Sequence, residues 1–483
     1  MPTKNLFTEI CRDFPDHAAI VESGNRYTYA ELLGAIDRCA ASLGQAGVRP
    51  GDRVGCQLEA GRDLLIAFYA AFSIGASAVP LPRKDMDRFD GARRAAGIKV
   101  VLSDIATPHV LGDETAPGPG NDGVSADEAL ILFTSGTTSA SLKGVRLAHS
   151  SISAVCSFMN RAMGIDRSVV ELIYAPLDHA YAFGRCHSVL SVGGTVVLPD
   201  SFVRLGELFE LIEGEDCNAL AIPPSILASV LKIAQGPHLE LLAKKIAWVQ
   251  SGAMRFSAFY RQKLLDALPD TRIFLHYGLS EAMRATFFEL NAHRDKIHTE
   301  GPASDGMEIQ ILDADHKPVA QGTEGLIAVK GSNLCLGYLD DALWRSTLRD
   351  GWHITSDRGV LDPEGFLEFR GRADDVININ GLLVHPDEIE TKIVPLWPEH
   401  ALSVVGTRDP SGVKDVVIVL CFKEPSPVSG LRDVKKRLKG VETHFMPQHV
   451  MSFPALPSTR TGKVDRNKLR QMIKATWDAE ACD

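Results

Sequence analysis

The sequence predicts an α/β protein: a large N-terminal domain with parallel βαβ sheets and a β-rich subdomain, followed by a small α+β C-terminal domain. Three observations carry this. From residue 129 to 280, short apolar runs alternate with helical stripes, the pattern of βαβ units covered on both faces. After residue 300 glycines become frequent and the apolar runs shorten, which reads as β structure. A charged segment, Arg370-Gly371-Arg372-Ala373-Asp374-Asp375, then separates this region from a compact stretch of mixed strands and helices.

In chain order, Leu64 to Pro82 is uncharged for 19 residues, nearly a membrane span in length. Gly75 and Pro80 interrupt it and charges follow, so it reads as a buried helix running into a strand at Ala78-Val79-Pro80. Ala129 to Phe133 reads as a buried strand, and Ser150 to Met163 carries a helical stripe. Thr195 to Leu198, Ala219 to Ile222, Ile246 to Val249 and Ile273 to His276 read as strands. Helices are expected around Val203 to Ile212 and Phe259 to Leu268. Ligands of such sheets collect beyond the strand carboxyl ends, which singles out the loops after Phe133, Val249 and His276. Glu308 to Leu312, Gly325 to Val329 and Phe366 to Phe369 form the β-rich region. Val376 to Ile379, Ala401 to Val405 and Val416 to Phe422, with helices near Pro386 to Ile393 and Leu431 to Leu438, form the last one. The expected division is 1–371, a hinge at 372–375, and 376–483.

Composition narrows the function. With 483 residues, 45% apolar and 23% charged, the chain supports a large core and is neither disordered, collagenous nor a coiled coil. Its net charge of -10 argues against a general nucleic-acid binder and leaves any anionic substrate to local groups. Nine cysteines, an odd number with no CxxC pair, fit a reducing compartment rather than a disulfide framework. No apolar h-region follows Met1, so a cytoplasmic location without a membrane span is expected.

Gly118, Gly120 and Gly123 spell GxGxxG, but no strand leads in, no helix opens after it, and Pro119 sits inside, so it is set aside. The loop from Thr134 to Gly144 follows a strand and is expected to lead into a helix. It holds six hydroxyls, two glycines and Lys143 in eleven residues. Such a turn is either an anion-binding nest or a plain Ser/Thr turn.

Five further segments decide between these. The loop resembles the phosphate-binding loop of the adenylate-forming superfamily of acyl-CoA synthetases, adenylation domains and luciferase. Tyr277-Gly278-Leu279-Ser280-Glu281, Asp350 to Asp357, Gly371 to Asp375, Gly381 with Val384 to Glu390, and Leu456 to Arg466 resemble its later motifs, in order. The resemblance implies a free-standing ligase that uses ATP and Mg²⁺ to join a carboxylic acid to AMP. The acyl group then passes to the pantetheine thiol of CoA or an acyl carrier protein as the small domain swings.

The same resemblance assigns roles. Lys463 would bridge the carboxylate and the α-phosphate. Glu281 would hold Mg²⁺ and Ser280 would bond the α-phosphate. Thr134, Ser135, Gly136, Thr137, Thr138 and Lys143 would hold the departing phosphates. Asp357 would accept the ribose hydroxyls, and Arg372 would contact ribose or phosphate. Tyr277 and Gly278 would meet adenine, with Ser251, Gly252 and Ala253 along its edge. Asp374 would be the hinge residue and Gly381 would line the thiol tunnel. His179 would stand near the carboxylate, with Tyr181, Phe183, Met254 and Leu279 as acyl-pocket walls.

The sequence departs from the family pattern at Ser139 and Leu142 in the loop, at Ser356, where glycine is usual, and at Asn378, where lysine is common. α-Amino-acid-activating relatives tend to carry an aspartate where His179 stands, which favours an acid without an α-amine. Two other readings stay open: an amino-acid-activating enzyme serving a carrier protein, and an inactive nucleotide-binding relative.

Overall fold

A computed structural model describes residues 6–81, 83, 86–110, 125–134, 143–199, 205–234, 236–252, 256–379, 382–410, 416–439, 445–459 and 463–480, to which all counts below refer. Two large sheets form the N-terminal part. The eight-stranded sheet is parallel from Ala18–Glu22 through Thr195–Leu198, Val170–Ile173, Ala219–Ala221 and Trp248–Gly252 to Arg272–His276, with an antiparallel strand at each edge. The seven-stranded sheet centres on Arg53–Cys56, Ser77–Pro80 and Glu128–Thr134.

Between the sheets lie the helices Arg62–Ser73 and Ala180–Leu190. Residues 64 to 72 of the first and all of the second are buried. The first helix is apolar almost all round and so must be covered on every side, and both have a sheet above and below. Their side chains share one apolar cluster with Ile20, Val54, Leu130, Val196 and Phe274, drawn from both sheets. This explains the uncharged run from Leu64 without a membrane. No helix among the described residues is long and apolar enough to cross one.

Within the second helix, Arg185 is fully buried. It forks onto Glu171 of strand Val170–Ile173 at 3.0 and 2.7 Å, so the helix is pinned to the sheet by a desolvated ion pair. The five-stranded β subdomain follows, built on Met307–Leu312, Gly325–Gly331, Trp352–Leu361 and Leu367–Arg372. Beyond Ala373–Asp375, a short 3-10 turn, two further apolar clusters draw their buried members only from Ile377 to Ile473.

One expectation needs correction. The loop after Glu128–Thr134 does not lead into a helix. It joins that strand to Lys143–Ala148, antiparallel to it, and the helix His149–Met163 starts only after the second strand. The strands of the 129–280 alternation divide between the two sheets: Glu128–Thr134 sits with the preceding strands, and those from Val170 to His276 join the other sheet. Periodicity reports that an element is buried, not which sheet buries it.

Candidate active site

The Trp352–Leu361 and Leu367–Arg372 strands pair so that Asp357 stands opposite Arg372, which puts a carboxylate and a guanidinium side by side on one face. Asp357 is buried. Its backbone N–H donates to Thr355 Oγ1 at 3.0 Å, and its Oδ2 accepts from the Tyr277 hydroxyl at 2.7 Å. Arg372 donates to Ser356 Oγ at 2.7 Å, so the serine that departs from the family pattern holds the guanidinium. Burial pushes the Asp357 carboxyl up, and Arg372 and the Tyr277 hydroxyl oppose it.

These residues line a cavity of about 390 Å³ between the N-terminal and C-terminal parts. Tyr277, Gly278, Leu279, Asp357 and Arg372 come from one side, and Lys463, Arg466 and Asp387 from the other. Lys463 lies just inside the antiparallel bridge of Ser458 with Val464, where its carbonyl accepts from the Thr459 N–H at 2.7 Å. The side chain is exposed to the cleft, yet surrounding protein desolvates the ammonium and holds it below its ordinary range. Arg372 acts in the same direction, while Asp357 and Asp387 oppose. Arg466 anchors this segment by donating to Asp387 Oδ1 at 2.8 Å, with Glu390 Oε1 3.0 Å away.

The cavity continues to His276, buried and stacked on Tyr181 with ring centroids 5.7 Å apart. Its Nδ1 lies 2.6 Å from Gln250 Nε2. Desolvation, then the nearby Arg284 and Arg185 charges, hold it well below the usual histidine range, so the ring is neutral. Gly252 lies against that ring: a Cβ there would collide with it, so a larger residue must displace His276. Ser251 is fully buried, its hydroxyl donating to the Ile222 carbonyl at 2.7 Å, beneath the cleft rather than along it.

Glu281 sits at a tight turn closed by two backbone hydrogen bonds between Leu279 and Ala282, with Ser280 at its tip. Lys143 Nζ is 2.5 Å from Glu281 Oε1, and the Tyr338 hydroxyl donates to the same oxygen at 2.8 Å. Burial raises the Glu281 carboxyl, but Lys143 and Tyr338 outweigh it and leave it lowered. A buried, ionised carboxylate suits a hard cation. No group of three or more His, Cys, Asp or Glu side chains that could hold a metal occurs among the described residues. A cation on Glu281 would therefore take its other ligands from phosphate and water, the habit of Mg²⁺.

Other expected residues fall elsewhere. Phe183 does not line this cavity: it is fully buried, with Phe68, Phe72 and His187 rings 5.7 to 6.2 Å away, because its turn of the helix faces the interior between the sheets. Tyr181 is buried behind His276, its hydroxyl on the Gln250 carbonyl at 2.8 Å. His179 caps the same helix's start, 3.9 Å from Asp178, and is not among the cavity's lining residues. Ser135, Gly136, Thr137, Thr138, Ser139, Leu142, Ala253, Met254 and Gly381 lie outside the described residues, as do the side chains of Thr134, Asp374 and Asn378. The sequence reading missed Tyr338 and His276. A polar residue ending the apolar strand Ile273-Phe274-Leu275 was the available signal for His276. Tyr338 had none.

The architecture is that of the adenylate-forming enzymes. ATP-bound MatB from Rhodopseudomonas palustris superposes with a TM-score of 0.84 at 24% identity, over 99% of this chain and all of that one. The o-succinylbenzoate CoA synthetase MenE from Bacillus subtilis gives 0.82 at 22%, over 97% and 98%. At the level of sequence, a family model for AMP-binding enzymes matches residues 7–339, and the chain belongs to that family of AMP-forming ligases. Similar curated proteins include triostin synthetase I from Streptomyces triostinicus, 29% identical over 98% of this chain and 94% of that protein. A feruloyl-CoA synthase from an Amycolatopsis species is 27% identical over 95% and 96%.

Proposed function

We propose that this protein condenses a carboxylic acid with ATP to give acyl-AMP and pyrophosphate, then transfers the acyl group to a pantetheine thiol. One observation carries the reading: Lys463, from the C-terminal part, lines the same cleft as Asp357, Arg372 and Tyr277. The difficulty of the first step is electrostatic, since a carboxylate must reach an α-phosphate. Two unit charges at about 4 Å with an effective dielectric near 20 repel by roughly 4 kcal/mol. An ammonium placed between them removes most of that cost and also stabilises charge developing at phosphorus.

Lys463 supplies that ammonium. Asp357, an acceptor-only group, takes the ribose hydroxyls, and Arg372 meets ribose or α-phosphate. Tyr277, packed against Phe369 with ring centroids 6.0 Å apart, meets the adenine. Ser280 and Lys143 serve the phosphates, together with the Thr134 to Thr138 loop. Mg²⁺ held on Glu281 supplies positive charge to the phosphates when bound. The carboxylate oxygen forms a bond to the α-phosphorus, the bond to the β-phosphate bridging oxygen breaks, and pyrophosphate leaves. The thiolate then adds to the acyl carbon and AMP departs. Asp374 at the turn Ala373–Asp375 and Gly381 serve this second step, as the part beyond residue 375 moves Lys463 away.

Relatives named for feruloyl-CoA and salicylyl-CoA synthesis, 27% and 25% identical, support an acyl or aryl acid and CoA. The neutral His276 and apolar Leu279 suit such a group. The test separates the two steps. Lys463→Ala should lower acid-dependent pyrophosphate exchange by at least about a hundredfold while thioester formation from supplied acyl-AMP continues. Exchange that survives the substitution would refute the role of Lys463. Wild-type exchange driven by amino acids but by no plain acid would overturn the acid class.

A further inference from the structure

The cation site of the proposed reaction rests on one carboxylate, and the packing around Glu281 fixes which of its oxygens is available. Both protein donors grip the same atom. Lys143 Nζ is 2.5 Å from Oε1 and the Tyr338 hydroxyl 2.8 Å from it. Oε2 carries no hydrogen bond from the described residues. The two donors also touch each other: Lys143 donates to the Tyr338 hydroxyl at 2.8 Å and lies 4.2 Å from the centre of its ring.

The donors differ in freedom. Lys143 is a long unbranched side chain, and in the proposed reaction it serves the phosphates. Tyr338 has nowhere to go. Its backbone pairs with Val145, two residues beyond Lys143. Its ring packs edge-on against Trp344 at 5.0 Å, and Trp344 stacks on His353 at 4.8 Å. The preceding Gly337 has φ +134°, and a Cβ there would meet the Trp344 indole at 2.8 Å, so the bend that presents Tyr338 needs glycine. The segment is also tied to the backbone of Glu281, because the Cys335 N–H donates to the Glu281 carbonyl at 2.8 Å. Carboxylate, hydroxyl and lysine are thus set by one interlocked edge of the seven-stranded sheet.

We propose that Tyr338 is a positioning residue for the divalent cation. Its hydroxyl holds Glu281 by Oε1, so that Oε2 faces the phosphate-bound Mg²⁺, and it keeps that hold when Lys143 turns to the phosphates. This rests on the assignment of Glu281 as the cation's carboxylate. A carboxylate held by one oxygen receives a metal without the entropy cost of finding its orientation first.

Tyr338→Phe removes the hydroxyl and keeps the ring. The test uses Mn²⁺ as probe, counting free ion by electron paramagnetic resonance while ATP-saturated protein is titrated. Metal-free ATP binding is measured separately by calorimetry. The expected result is about a tenfold weaker Mn²⁺ affinity, the scale of one hydrogen bond to a charged group, with metal-free ATP binding changed less than about twofold. In a Glu281→Gln background the same substitution should add little, since the two residues act as a pair. Unchanged Mn²⁺ affinity in Tyr338→Phe overturns the proposal and leaves the nucleotide reading standing. So does an equal loss of metal-free ATP binding, which marks a merely structural role. Wild-type protein that binds ATP but takes up no Mn²⁺ with it refutes the Glu281 assignment itself.

Discussion

Asp357 and Lys463 are 106 positions apart in the chain, yet their charges act on each other. Each carries the sign the other needs, and desolvation strengthens the coupling. The direction of the Lys463 shift predicts a pH profile. Only the ammonium can stand between two anions, and a lowered pKa means the proton is lost earlier as pH rises. The adenylation rate should therefore fall on the alkaline side below the 10.5 of an ordinary lysine. Pyrophosphate exchange measured from pH 7 to 11 checks this, and a rate that holds flat to pH 11 contradicts it. Gly252 makes a second residue-scale prediction. Gly252→Ala drives a methyl group into His276, and overpacking of this kind costs about 1–3 kcal/mol, to be read from urea unfolding. A stability equal to wild type would mean that the ring can move aside.

At the scale of elements, the site hangs on strands that the sequence marks clearly and on pairings that it does not. The helix Ala180–Leu190 was not among the elements read from the sequence; the structure buries all of it and shows why Arg185 is tolerated. Glu171 meets it from the strand below. Glu171→Gln leaves that guanidinium buried without its counter-charge, which costs about 3–5 kcal/mol. Denaturant unfolding measures the loss, and a change below 1 kcal/mol would show that water reaches Arg185. Strand positions such as Ile273–His276 were legible from β-branched and apolar runs within a residue or two. The strand Lys143–Ala148 was not, because its Lys143-Gly144-Val145-Arg146 alternation is short and a helix was expected after the loop. A hairpin across the phosphate loop is decided by the partner strand that receives it.

On the scale of the whole molecule, two separately cored parts meet over the cleft. The Tyr260 hydroxyl donates to the Pro398 carbonyl at 3.0 Å, and His385 Nε2 lies 3.3 Å from Glu324 Oε1. Val394 also packs against the apolar cluster of the larger part, and Arg370 lies 3.4 Å from Glu388. Asp374 lies in the first turn of Ala373–Asp375, where a proline is tolerated but fixes φ. Asp374→Pro should slow thioester formation from supplied acyl-AMP at least about tenfold and leave pyrophosphate exchange near wild type. Equal loss of both steps would show that this torsion does not serve the second reaction.

Six local motifs in fixed order sufficed to place the chain among AMP-forming ligases, because each is a short run of neighbouring residues that can be read without knowing the fold. Burial periodicity likewise set most strands and helices. The choice of sheet for each strand, the inward turn of Phe183 and the grip of Tyr338 on Glu281 were decided only by tertiary structure. Each depends on residues distant in the chain meeting at a surface, and a one-dimensional pattern carries no record of which surfaces meet.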